Sequence, residues 1–213
     1  MNESQAKIIS EAAVLFARHG FYGVTTRQIA AAVGLNIATV HYHVGSKQDL
    51  YTKIHEIYHQ EEQALFTEIF ERATERPIMD ADELPLMISG IVDRLLDFFN
   101  DNPVRVRFQL RYWLDTETGQ DDIQAEADLS LYKRIDEVLQ ATKESGIIRL
   151  DVDSGLFLRG LYMLIYGYFL SGAFDWTTLR GDPHDQAHLQ AFKGLLLAYL
   201  CKMMNIPQLK GIN

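Results

Sequence analysis

Residues 25–50, TTRQIAAAVGLNIATVHYHVGSKQDL, constrain this chain more than any other stretch, because two helix starts flank a glycine turn within a few residues of each other. Thr25 followed by Gln28 forms a capping-box pattern, in which the threonine oxygen and the glutamine side chain satisfy N–H groups that a helix start leaves unpaired. Ile29, Ala32 and Val33 then recur at helical spacing. Ala30 is small where a crossing helix would approach, and Gly34 supplies a turn with positive φ. Asn36 is placed to cap a second short helix, with Ile37 and Val40 facing inward. Its remaining residues, Ala38, Thr39, His41, Tyr42 and His43, offer small, hydroxyl, imidazole and phenol groups to its outer side. Such a surface suits phosphates and base edges in a major groove. The pattern predicts a helix-turn-helix that binds DNA.

Together with the preceding FARHGFYGVTT and the following GSKQDLY, this segment resembles the tetracycline-repressor (TetR) family of bacterial transcriptional regulators, from the N-terminus to about residue 55. The resemblance implies that Thr26 and Arg27 meet phosphates at the start of the second helix. It places Ile37 and Ala38 at the base-facing start of the recognition helix, with Thr39, Tyr42 and His43 along it. Lys47, just inside the fourth helix, would hold a backbone phosphate. Where the family usually has tyrosine this chain has His41, whose imidazole can still donate to an anion. The family also implies a homodimer on a double-stranded DNA operator, and an effector of unspecified identity bound further along the chain.

Glycine and proline mark the other joints. A first helix runs from about Ser4 to Arg18, with Ile9, Ala13, Phe16 and Ala17 on one face and Gly20 beyond its end. Gly45 and Ser46 break the chain before a long fourth helix to about Thr74, which carries Leu50, Ile54, Ile57, Leu65, Ile69 and Phe70 inward. Further helices are expected over about 83–99, 103–114, 121–145, 152–174 and 187–204. Proline opens the second of these, where a helix tolerates it. Beta-branched residues nowhere gather into alternating runs. The expected fold is all-α: a three-helix head over residues 1–48, joined by the long fourth helix to a bundle of about five more within residues 49–213.

Charge follows the same division. The net charge is −9, which argues against indiscriminate nucleic-acid binding by the whole chain. Through residue 55, Lys7, Arg18, Arg27, Lys47 and Lys53 outnumber Glu3, Glu11 and Asp49, five to three, giving +2 and leaving −11 for the remainder. A mildly basic head on an acidic body would turn one end toward DNA. The single cysteine, Cys201, permits no internal disulfide. The N-terminus has no apolar signal core, and the longest apolar run, Leu161 to Phe174, is shorter than the ~18 residues a bilayer requires. The reading is a cytoplasmic protein with no membrane partner.

The last two helices each carry two stripes. Leu156, Gly160, Leu164, Gly167 and Ser171 share one face, opposed by Leu158, Tyr162, Ile165 and Phe169. Ala187, Ala191, Gly194, Ala198 and Cys201 likewise oppose Leu189, Phe192, Leu196, Tyr199 and Met203. Small residues let helix backbones approach closely, so the small stripes predict a homodimer seam in a four-helix bundle; packing inside one chain is the alternative. Aromatic residues crowd the middle helices: Phe66, Phe70, Phe98, Phe108, Tyr112, Trp113 and Tyr132, joined by Tyr162 and Tyr166. Plain core accounts for any one of them, and the family resemblance is what points to a ligand cavity.

His55-Glu56-Ile57-Tyr58-His59 spells HExxH, the helical signature of zinc metalloproteases. It falls on the connecting helix, and no recognisable third ligand follows it, so neither a metal site at His55 and His59 nor catalysis is expected. No nucleophile–base arrangement, phosphate-cradling loop or cysteine cluster appears, and no cofactor is implied. The remaining alternatives are a zinc-binding helical protein or metallohydrolase built on that motif, and a ligand sensor whose head no longer reads DNA.

Overall fold

The computed structural model describes residues 2–75, 82–115, 122–149, 151, 153–170 and 182–207, with the backbone alone over 122–132. All regular structure among these residues is helical: α1 (Glu3–His19), α2 (Thr26–Val33), α3 (Ile37–Val44), α4 (Lys47–Thr74), α5 (Leu84–Asp101), α6 (Pro103–Asp115), α7 (Asp122–Glu144), α8 (Ser154–Leu170) and α9 (Gln186–Met204). None of them is long and apolar enough to cross a membrane. The chain forms two compact units, Met1–Gln63 with Asn102–Gln120, and Ala64–Asp101 with Asp121–Asn213.

The first unit is the head together with α6, which packs against α1. Its core draws on every helix: Ile8, Ala12 and Phe16 of α1, Ile29 of α2, Val40 of α3, Leu50 and Ile54 of α4, and Phe108 of α6. All eight are essentially sealed from water. Emptying a site such as Phe16 by truncation to alanine costs about 3–5 kcal/mol, so this cluster dominates the unit's stability. The local signals act as the sequence indicates. Thr25 and Gln28 make the full capping box, Asn36 accepts from Thr39 N, and Gly34 takes the left-handed conformation with φ +73°. Two positions differ from expectation. Ala32 is exposed because α2 turns only Ile29, Ala30 and Val33 inward, and Ile37 is 45% exposed because Val40 and Val44 suffice to anchor α3.

In the second unit α5 packs against α8 and α9, and α7 against α8. Leu84, Val92, Leu96 and Phe99 of α5 meet an interior shared with Ile165, Tyr166 and Phe169 of α8 and Leu196 and Leu200 of α9. Tyr168 stacks flat on Phe192 at 3.8 Å between ring centroids, and Lys193 pairs with Asp93. The bulky stripes of both final helices thus face the core, apart from Tyr199, which is exposed. The small stripes lie outside. Leu156, Gly160, Leu164 and Gly167 are exposed, as are Ala187, Ala191 and Ala198, while Gly194 is half-buried. A Cβ added at Gly160 or Gly167 would meet nothing within 4 Å, so neither glycine is needed for packing within the chain. Cys201 departs from its stripe: it is buried in the core, and burial pushes its thiol pKa up. Ser171 lies outside the described residues.

Candidate nucleic-acid interface

The helix-turn-helix presents its functional groups from two capped helix starts. At α2, Thr25 N–H donates to Gln28 Oε1 at 2.8 Å and Gln28 N–H donates to Thr25 Oγ1 at 3.3 Å. Just inside that cap Thr26 is half-buried and Arg27 is exposed. A helix N-terminus with an exposed guanidinium beside it favours an anion such as a backbone phosphate. At α3, Asn36 Oδ1 accepts both Thr39 N–H (2.8 Å) and Thr39 Oγ1–H (3.0 Å), which leaves the hydroxyl lone pairs as acceptors. Ile37, Ala38 and His41 are exposed along this helix, Tyr42 is 85% exposed, and Thr39 and His43 are half-buried. The Tyr42 and His43 rings meet edge to face at 5.4 Å. The exposed face therefore carries a methyl, a phenol, an imidazole and an aliphatic wedge, groups able to address base edges and thymine methyls.

Several ties that hold this face have no signal in the local sequence. Gln5 Nε2 donates to the carbonyl of His43 at 3.1 Å, and Lys7 Nζ donates to that of Val33 at 3.2 Å, so α1 closes the C-terminal ends of both α3 and α2. A cation is favourable at such an end. Lys47 does not extend outward from the start of α4. Its ammonium donates to the carbonyls of Phe21 and Val24, each at 2.9 Å, and sits 4.0 Å from the Phe21 ring centroid. On the other side of the same loop, Asp115 of α6 accepts Phe21 N–H at 2.7 Å and Tyr51 O–H at 3.0 Å. Burial and this carboxylate push the Tyr51 pKa well above its ordinary value. The start of α4 is closed reciprocally by Ser46 and Asp49, and those bonds hold the Asp49 carboxyl below its usual range.

Residues 8–54, from within α1 into the first turns of α4, match the model of the bacterial regulatory proteins of the tetR family; Gln5, Lys7 and Asp115 lie outside the match. The HTH-type transcriptional repressor SCO4008 of Streptomyces coelicolor is 28% identical over 146 residues, covering 68% of this chain and 67% of that protein. The chain carries a tetR-family DNA-binding segment. By these matches it is a DNA-binding transcriptional regulator and not an enzyme. The fold agrees along nearly the full length. The tetR-family regulator PfmR of Thermus thermophilus superposes with a TM-score of 0.65 over 90% of this chain and 97% of its own, at 18% identity. A protein of Saccharomonospora viridis, solved in complex with choline, gives 0.59 over 95% and 97%, at 22% identity.

The HExxH segment is part of the first unit's packing. His55 stacks on Tyr112 with 3.6 Å between ring centroids and the planes nearly parallel at 4°, and its Nε2 is 3.3 Å from Gln109 Nε2. Glu56 is exposed. Among the described residues no group of three histidine, cysteine, aspartate or glutamate side chains is arranged to hold a metal ion. The aromatic residues expected to share a ligand cavity are divided. Phe108 and Tyr112 are packed in the core of the first unit beside Tyr51, because α6 docks on the head, and Trp113 is 37% exposed. Phe66, Phe70, Phe98, Tyr162 and Tyr166 belong to the second unit, where Tyr162 lies 4.7 Å from Tyr166 and 6.5 Å from Phe66. Phe70 is instead covered by Arg134, 4.4 Å from its ring. Arg105, the buried arginine of α6, pairs with Glu61 and lies over Tyr58. The side chain of Tyr132 lies outside the described residues.

Proposed function

We propose that this regulator is a homodimeric repressor held on a pseudo-palindromic operator and released by a small molecule. Residues 1–48 would bind DNA and residues 49–213 would bind the effector and pair the subunits. The observation that carries the reading is the exposed face of α3, where Ala38, His41 and Tyr42 stand free beside the exposed Arg27 of α2. One such head offers too small a surface for tight specific binding, and two related by a two-fold axis read half-sites about one helical turn apart. The exposed members of the small stripes, Leu156, Gly160, Leu164 and Gly167 of α8 and Ala191 and Ala198 of α9, together with the exposed Leu195, support pairing through those helices. The rings of Phe66, Tyr162 and Tyr166 support an aromatic effector site, and the choline complex of a structural relative is in keeping with a small organic effector. The effector and DNA would oppose each other by a coupling of about 1–3 kcal/mol, transmitted as α4 changes position.

A salt-dependent fluorescence-anisotropy titration against the DNA upstream of the chain's own gene tests this, with Arg27→Ala and Thr39→Ala alongside. Tight, salt-sensitive binding that weakens in both variants is the expected result. Failure to bind both that region and a broad pool of genomic DNA would overturn the reading.

A further inference from the structure

The loop between α1 and α2 leads directly into the cap Thr25, the half-buried Thr26 and the exposed Arg27, so its position sets where α2 begins. Both backbone polar groups of Phe21, in the middle of that loop, are held by side chains from elsewhere in the first unit. The N–H donates to the Asp115 carboxylate, and the C=O accepts from the Lys47 ammonium. The phenyl ring lies between that ammonium at 4.0 Å and the Tyr51 ring at 5.0 Å. Lys47 spends a second N–H on Val24 C=O, the last carbonyl before the cap. Asp115 is itself fixed by Tyr51 O–H. The backbone makes room for this grip. Gly20 has φ +70°, and a Cβ there would stand 3.2 Å from Asp115 Oδ2.

From this geometry, and resting on the DNA-binding reading above, we infer that Lys47 and Asp115 are positioning residues that clamp Phe21 and so aim the start of α2 at the DNA backbone, and that Lys47 is not itself a phosphate ligand. Two of the three ammonium donors are already committed to carbonyls, and turning them outward would release Phe21 and Val24 in the loop that leads to Arg27. The two side chains have opposite charge yet serve one function. That gives the inference a consequence no phosphate contact shares: removing a negative charge at Asp115 must weaken DNA binding, although the field alone would strengthen it.

The test uses the full chain and a duplex that the wild type enriches from a random-sequence library. Affinity is measured from low to high salt, with folding checked by circular dichroism. Lys47→Met keeps the apolar stem over Phe21 and should lower affinity about tenfold, as loss of a charge-assisted hydrogen bond does, while the slope of log K against log salt stays at the wild-type value. Arg27→Ala should reduce that slope by about 0.9, the signature of one lost phosphate contact. Asp115→Ala should also weaken binding. If it does not fold, Asp115→Glu, which displaces the carboxylate by one methylene, should weaken binding in its place. A slope reduced by about 0.9 in Lys47→Met, or wild-type or tighter affinity in the Asp115 variant, would overturn the inference. A wild-type chain that enriches no duplex would overturn the DNA-binding reading, and this inference with it.

Discussion

Among the described residues, the exposed face of α3 and that of α8 with α9 differ in kind. Along α3 the exposed side chains include the Tyr42 phenol and the His41 imidazole beside small Ala38, so carbon and hydrogen-bonding atoms are interleaved. Along α8 and α9 the exposed side chains are Leu156, Met163, Leu164, Leu195 and Tyr199, set among alanines and glycines. The first mixture matches the edge of a base pair, which presents donors, acceptors and a methyl in close sequence. The second matches another apolar surface, because exposed leucine gains mainly by leaving water. Exposure is common to both, and the chemistry of the exposed atoms is what distinguishes the proposed nucleic-acid face from the proposed pairing face.

The sharpest way to break the comparison is to place a charge on the second surface. Leu195→Glu sits on a residue 62% exposed within one chain, so folding should be little affected. Sedimentation should report monomers, and operator affinity should fall by about 100-fold or more as two-site binding is lost. An unchanged dimer would remove α9 from the seam. On the first surface, Tyr42→Ala should lower operator affinity by roughly tenfold while leaving sedimentation alone. An effect on sedimentation instead would merge the two surfaces. A third variant separates scaffold from surface. Gly34→Ala meets no neighbour within 4 Å but forces a side chain into φ +73°, so urea denaturation should show a loss of about 1–2 kcal/mol, due to backbone strain alone.

The head was the more legible of the two regions, for a physical reason. Thr25 with Gln28, Gly34, and Asn36 with Thr39 act over three or four residues, and such interactions are written in consecutive letters. What the letters do not contain is the destination of a long side chain. Lys47 gives a charge and a reach, but its acceptors belong to a loop more than twenty residues earlier. Asp115 joins the same loop from 94 residues away, and nothing near it in sequence indicates that. The same limit separates the aromatic residues: Phe108 and Phe98 look alike in sequence, yet α6 carries Phe108 into the head and α5 places Phe98 in the other unit. Helical periodicity served better on α8 and α9, where alternate stripes fixed which side faces the core, although Tyr199 and Cys201 each lie opposite to their stripe.

The smallest effect concerns the clamp's chemistry. Tyr51 keeps its proton in the folded chain to higher pH than an ordinary tyrosine, because it is buried and donates to Asp115. A raised pKa means that this contribution is complete below about pH 10 and declines as pH rises beyond it, since the unfolded chain ionises first. Tyr51→Phe should therefore flatten part of the alkaline fall in stability, measured by urea denaturation at pH 8 and pH 10.5. A fall identical to the wild type would remove Tyr51 as its source.

Cys201 is the chain's one thiol, it is buried in α9, and burial raises its pKa. Because thiolate character and access govern reaction with alkylating reagents, the native chain is close to inert toward maleimides without any engineering. A cysteine introduced at Tyr42 or at Leu195 would be the one site to take a fluorophore, so each surface can be followed separately, one by quenching on DNA and the other by energy transfer between subunits.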